Sequence, residues 1–259
     1  MKGRRPARYL AKDAVYAACR TVAPRVRHVR AVLMYHEVGG PGGPSVELFD
    51  RQMRELRARM DQVVALRDLP AAIERGGSVA VVTLDDGYAD TVARVRPVLA
   101  ERGVPATFFI PSGFLGAPMP TSMGEQQVLT AEEVTALAAG GHEIGGHTRT
   151  HPRLTQLTPD EARAEIEDDR AALGRLLGSP VTSFAYPKGD HDAAMAALVR
   201  AAGYTLAVSV RESLLAGPLD PFAVPRVLVN ASMGMAQFRA KLSGGLAVYE
   251  RLRGRGATP

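Results

Sequence analysis

The sequence predicts one α/β domain built on a parallel sheet, of the size an α/β barrel reaches as a single unit. Three observations carry this. The chain has 259 residues and is 46% hydrophobic, enough for one large core. Short apolar runs alternate with longer amphipathic stretches from residue 31 to residue 242, the pattern of strands joined by crossover helices. Polar residues with chemical potential follow the apolar runs directly, and in a barrel those strand ends gather on one face.

Residues 1–30 read as a basic arm. They hold nine Lys or Arg against one acid, Asp13, a net +8. The whole chain is +5, so the remaining 229 residues sum to −3. The basicity therefore belongs to the arm and not to the body, which argues against nucleic acid as a partner. Tyr9, Leu10, Val15, Tyr16 and Ala17 fit one side of a short helix, so the arm is expected either to touch an anionic membrane surface or to be solvated or loosely docked on the body. It lacks the continuous apolar stretch of a signal peptide.

The barrel is expected over 31–245, with a tail at 246–259. "AVLMY" (31–35) reads as the first strand and "LFDRQMRELRARM" (48–60) as a helix. "AVVTL" (80–84) is the next strand, "DTVARVRPVLAERG" (90–103) a helix stopped by glycine, and "ATFFI" (106–110) a strand closed by Pro111. Thr130 with Glu133 forms a capping-box signature before "AEEVTALAAGG". "HEIGG" (142–146) is a short strand. Thr158, Pro159 and Glu161 start a helix with the apolar stripe Ala162, Ile166, Leu173 and Leu177, ending at Gly178. "VTSFAY" (181–186) is a strand, 193–203 a helix, "TLAVSV" (205–210) a strand, "FAVPRVLV" (222–229) the last strand and 235–242 a helix.

There is no G-x-G-x-x-G and no P-loop signature, so dinucleotide and nucleotide-phosphate sites lose their main support. The single cysteine, Cys19, excludes a disulfide framework and a cysteine-based zinc site.

Two clusters point to chemistry. A strand that ends on adjacent aspartates, Asp85 and Asp86, needs solvent or a cation to compensate two like charges. In "GGHTRTHP", His147 and His151 lie four apart between glycines and a proline, a spacing that can aim two imidazoles at one point. Two histidines plus one carboxylate with open positions suit Zn²⁺ or another divalent ion. One aspartate then binds the cation and the other accepts a proton from activated water.

The same segments resemble a known family. "TLDDGYAD" resembles the first motif, and "HTRTHP" the second, of polysaccharide deacetylases of the NodB-homology type, carbohydrate esterase family 4. "FAYPKGDHD" resembles the third motif in a Tyr-Pro variant, and "DPFAVPRVLV" a downstream segment of that variant. The resemblance spans roughly residues 31 to 230. It implies a distorted (β/α) barrel with fewer than eight regular strands. It also implies metal-dependent hydrolysis of an N-acetyl, sometimes O-acetyl, group on a sugar.

By position, Asp85 resembles the general base, and Asp86, His147 and His151 resemble the metal ligands. The implied metal is Zn²⁺ first, with Co²⁺, Ni²⁺ or Mn²⁺ as alternatives. Lys188 is expected to offer its backbone N–H to an oxyanion, and Tyr186 and Pro187 to line the substrate.

Two departures matter. The arginine that often opens the third motif is missing, so Arg226 in "VPRVLV" is expected either to pair with Asp85 and keep it ionised or to sit in a surface ion pair. The family's late general-acid histidine is missing too, since no histidine follows His191. His36, in "LMYHEV" after the first strand, is expected to reach the site instead, with His191 a weaker candidate. His142 is expected to be packed or bound to backbone.

The resulting expectation is an N-deacetylase acting on a carbohydrate or lipid-linked sugar, cytoplasmic or peripheral at the inner membrane face, with export left open. The rivals are a metallohydrolase of a non-sugar amide or O-acetyl ester, and a non-catalytic sugar-binding relative. The sugar, the acetyl position and the oligomeric state are not legible.

Overall fold

The structure is a computed structural model, and it describes residues 14–19, 21, 27–122, 124–245 and 248. Most of the basic arm and nearly all of the C-terminal tail lie outside the described residues. A helical stretch, α1, covers 14–19, and Tyr16 and Cys19 within it are buried.

From there the chain runs through β1 (Arg30–Tyr35), α2 (Val46–Arg59), β2 (Gln62–Val64), α3 (Leu69–Arg75), β3 (Val79–Leu84) and α4 (Ala89–Arg102). Next come β4 (Thr107–Ile110), β5 (Pro118–Thr121), β6 (Gly124–Gln127), α5 (Ala131–Ala139), β7 (Glu143–Gly146) and α6 (Pro159–Leu177). β8 (Ser183–Ala185), α7 (Ala193–Ala201), β9 (Leu206–Glu212), β10 (Val224–Leu228) and α8 (Met235–Lys241) complete it. Both expected capping boxes form, Thr130 with Glu133 and Thr158 with Glu161. α4 and α6 stop at Gly103 and Gly178, each in the left-handed conformation.

The strands make a closed parallel barrel in the order β1-β10-β9-β8-β7-β4-β3, with β3 pairing back onto β1. Seven strands close it, which is the distortion expected of this barrel type. β2 borders the first half of β3 and β4 borders its second half, so these two share one side of the same strand.

The period-2 alternation of strands divides the core in two. Ala80, Val82 and Leu84 of β3 join the large cluster under the helices, with Phe49, Met53, Val95 and Leu99. Val79 and Val81 join Val32, Phe109, Ala185, Val208 and Val224 in a second cluster that fills the barrel. Extending that alternation carries Thr83 and then Asp85 toward the barrel interior, and carries Arg226 there two residues after Val224.

The hairpin β5–β6, α3 and β2 have no counterpart in the sequence reading. β8 keeps three residues of the six expected: Val181 and Thr182 precede it, and beyond Ala185 the chain turns through Pro187–Gly189.

Candidate metal-hydrolase site

Register decides what meets at the C-terminal ends of the strands. Tyr35 of β1 pairs with Leu84 of β3, and the Asp85 N–H donates to the Tyr35 carbonyl at 2.9 Å. The next residue along β1, His36, is therefore beside Asp85, and its Nε2 lies 3.8 Å from Asp85 Oδ2. His36 is 44% exposed and Asp85 3% exposed, so the imidazole stands between the buried carboxylate and solvent.

Asp85 also faces Arg226, which is fully buried. The guanidinium donates to both carboxylate oxygens, Nη1 to Oδ1 at 2.7 Å and Nη2 to Oδ2 at 2.8 Å. It donates further to Thr83 Oγ1 and to the Ser209 carbonyl. This is a two-point pair inside the barrel and not a surface contact. Burial alone raises the Asp85 pKa; the Arg226 charge, then His36, outweigh it and hold the carboxyl below its ordinary value.

Asp86 turns away from its neighbour. Its φ is +70°, and Gly87 follows at +61°. A Cβ at Gly87 would stand 2.7 Å from Ile110 Cδ1, which is why the aspartate pair is followed by glycine. The turn sends Asp86 Oδ1 to 3.3 Å from both His147 Nε2 and His151 Nε2. The three ligand atoms lie within 4.8 Å of one another.

Asp86 Oδ1 is buried and accepts no hydrogen bond, a costly state for a carboxylate oxygen unless a cation completes it. That orphaned oxygen, with two imidazole nitrogens aimed at it, fits a divalent metal ion.

His147 Nδ1 lies 2.7 Å from the Ala185 carbonyl. The network assigns the proton to Nδ1 and leaves the Nε2 lone pair for a ligand role. Burial pushes His151 down to about 4, and the charges of His147 and Lys188 add to this, which keeps the imidazole neutral, the form a metal ligand requires. Burial likewise works against a charged His147, but Asp86 outweighs it and raises its pKa.

Backbone strain marks the same place. Among the described residues, the non-glycine positions with φ > 0 are Asp86, Thr148, His151 and Lys188. All four lie on the loops that follow β3, β7 and β8, where function is the usual reason such conformations persist.

The remaining expected residues divide. Lys188 is exposed and sits in the turn after β8 with its charge near His151. Tyr186, expected to line the substrate, keeps its side chain inside the fold. It is 1% exposed, packs edge-on against Phe184, and donates its hydroxyl to the Phe222 carbonyl at 3.0 Å. Pro187 is buried as well. His191 stacks on Tyr186 with ring centroids 4.6 Å apart. His142 receives the Ala106 N–H on Nδ1 at 3.3 Å.

Sequence reading missed Asp169. It is wholly buried on α6, accepting from the Ser112 N–H at 2.9 Å and the His147 N–H at 3.0 Å. Burial pushes its pKa up to about 7 while those donors pull it down. The signal was present: Asp169 lies three residues after Ile166 and four before Leu173, a charge inside an apolar stripe.

A family model for polysaccharide deacetylases matches residues 72–207. YxkH of Bacillus subtilis, a protein assigned to the polysaccharide deacetylases, is 25% identical over 215 residues, 81% of this chain and 74% of that protein. The chitooligosaccharide deacetylase of Rhizobium leguminosarum bv. phaseoli is 31% identical over 111 residues, 42% of this chain and 43% of that protein. The chain thus matches less than half the length of the rhizobial relative. Among solved structures, the Streptococcus pyogenes deacetylase PplD in complex with acetate superposes with a TM-score of 0.73 at 20% identity, covering 85% of this chain and all of that one. IcaB from Ammonifex degensii superposes with a TM-score of 0.68 at 25% identity, covering 80% of this chain and 94% of that one.

Proposed function

The chain belongs to the polysaccharide deacetylase family, and from that premise we propose that it hydrolyses the N-acetyl group of a hexosamine-containing glycan or lipid-linked sugar with a divalent metal, Zn²⁺ first. One observation carries the proposal: a buried carboxylate oxygen without a partner, Asp86 Oδ1, faces two imidazole nitrogens beside a second aspartate that a buried arginine holds ionised. Asp86, His147 and His151 hold the metal. When bound, the ion supplies Lewis-acid polarisation of an acyl oxygen and lowers the pKa of water from 15.7 toward about 7.

The protein's own groups do the rest. Asp85 is the general base that takes the proton from the attacking water. Arg226 keeps Asp85 ionised at neutral pH and fixes its orientation with two hydrogen bonds. The Lys188 N–H, presented by the left-handed turn after β8, donates to the tetrahedral oxyanion. His36, the imidazole nearest Asp85 and open to solvent, protonates the departing amine.

The test is acetate release from a panel of N-acetylated oligosaccharides, polymers and lipid-linked sugars, before and after chelation and again with Zn²⁺ or Co²⁺ restored. Release that stops on chelation and returns with metal supports the proposal. Release that survives complete metal removal overturns it. Activity confined to O-acetyl esters or non-sugar amides would move the reaction class and keep the site.

His36 has its own expected result. His36→Ala should retain metal and fold, lose turnover on the amide, and lose less on an activated aryl acetate. A general acid stabilises only a transition state whose leaving group takes up a proton. Equal loss on both substrates points to positioning, and no loss on either removes His36 from the mechanism.

A further inference from the structure

We propose that α6 carries an acidic clamp for the two-histidine loop: Glu165 and Asp169, one helical turn apart, are positioning residues that fix the separation of His147 and His151. The inference rests on the metal reading above.

The two histidines lie on the segment between β7 and α6, and that segment has little regular structure of its own. Its geometry is set from α6. At one end, Asp169 Oδ2 accepts the His147 N–H at 3.0 Å. At the other, Glu165 takes Thr150 with both oxygens, Oε2 from the N–H and Oε1 from the hydroxyl, each at 2.7 Å. The Glu165 carbonyl also accepts the Arg149 N–H at 3.1 Å. His151, directly after Thr150, has its own N–H on Thr148 Oγ1 at 3.0 Å. Residues four apart on a helix stack on one face, about one turn of 5.4 Å along the axis. The helix therefore acts as a ruler between the two ligand-bearing ends of the loop.

The clamp reaches a second loop. Asp169 Oδ1 accepts the Ser112 N–H at 2.9 Å, and Gly113 next to it donates to the Arg149 carbonyl at 2.8 Å. The turn after β4 is thus tied to the histidine loop through the same carboxylate. Sequence follows from this closeness. A Cβ at Gly146 would stand 2.7 Å from Asp169 Oδ2 and 2.1 Å from the Tyr204 hydroxyl, and one at Gly113 would stand 2.5 Å from the Arg149 carbonyl oxygen. The glycine before His147 leaves room first for the Tyr204 hydroxyl and then for the helix carboxylate.

A metal site demands ligand atoms held to a fraction of an ångström, and partners that orient the ligands typically set 10–100-fold in metal affinity. The readout is therefore metal affinity, measured on the whole chain by stripping the metal and titrating Zn²⁺ against a chromophoric chelator. Asp169→Asn leaves one acceptor for two N–H donors, and Glu165→Ala removes both acceptors while keeping a good helix former. Each should weaken Zn²⁺ binding by about 10–100-fold. Turnover should recover toward the wild-type value when metal is saturating, a split that mere loss of stability does not produce. Glu161→Ala is the control. It removes the side-chain acceptor of the Thr158 N–H in the capping box of the same helix, and should lower the melting temperature without changing Zn²⁺ affinity.

Unchanged Zn²⁺ affinity in folded Glu165→Ala and Asp169→Asn overturns the clamp and leaves the hydrolase reading standing. If Asp169→Asn fails to fold, Glu165→Ala decides alone. A wild-type chain that takes up no Zn²⁺ overturns both.

Discussion

Asp85→Asn should keep its metal and lose most of its turnover, by roughly 10²–10⁴-fold, the usual contribution of a general base. Asp86→Asn should instead lose metal affinity. The two aspartates are neighbours in sequence, yet the backbone sends them to different tasks. Asp85 continues the strand alternation into the barrel, where both of its oxygens meet Arg226. Asp86 takes φ +70° and turns its Oδ1 to the histidines. An asparagine at 85 can still accept one hydrogen bond from Arg226 but cannot take up the proton of an attacking water. An asparagine at 86 keeps an oxygen and loses the charge that offsets the cation. Metal content after dialysis, read alongside initial rates, separates the two. If Asp85→Asn released the metal while Asp86→Asn retained it, the roles would be exchanged. Asp85→Asn also leaves the buried Arg226 without its anion, so its melting temperature should fall as well.

Much of this was legible in the sequence because local rules and the global fold agree. The strands of the barrel are apolar runs ending in turns, and the capping boxes at Thr130 and Thr158 announced two helices. The elements that escaped were those with weak local signals. β2 is the three residues Gln62–Val64, too short for an alternation to register. The β5–β6 hairpin is mostly exposed and carries Pro118 and Pro120, residues that argue against a strand until its edge position is known. Asp85, Asp86, His147 and His151 were visible because each follows a strand. Of the partners that hold them, Arg226 was expected at Asp85 as one of two readings for its position, while Glu165 and Asp169 were not seen. Arg226 is 141 residues from Asp85, and only the closing of the barrel brings β10 to β3 across β1. Glu165 reads as an ordinary solvent-facing helix acid. Tyr186 was expected to line the substrate from its place in the third-motif resemblance, and its burial against Phe184 and His191 is a packing detail the motif does not carry.

Arg226→Met should cost about 3–5 kcal/mol at neutral pH, the usual result of removing one partner from a buried ion pair. The cost should depend on pH in a way that identifies its source. In the wild-type protein the folded Asp85 pKa lies below its ordinary value, because Arg226 and His36 outweigh burial. Its stabilisation is therefore present above the unfolded carboxylate pKa and fades as pH falls through the folded one. In Arg226→Met the burial remains and the guanidinium is gone, so the folded pKa moves above the unfolded value. The sign reverses: ionised Asp85 destabilises the variant at neutral pH, and that penalty is relieved as protonation sets in at lower pH. The deficit against wild type should be largest near and above neutrality and should shrink toward acid. Chemical denaturation across pH 4 to 8 measures it. The double variant Asp85→Leu/Arg226→Met should recover much of the loss, since an apolar pair of similar volume often replaces a buried ion pair at little cost. The residual activity of Arg226→Met carries a second signature. A general base with a raised pKa is protonated at higher pH, so the acid limb of kcat/KM should move upward. A stability deficit that stayed constant with pH, together with an unmoved acid limb, would show that Arg226 packs the barrel without holding Asp85 ionised.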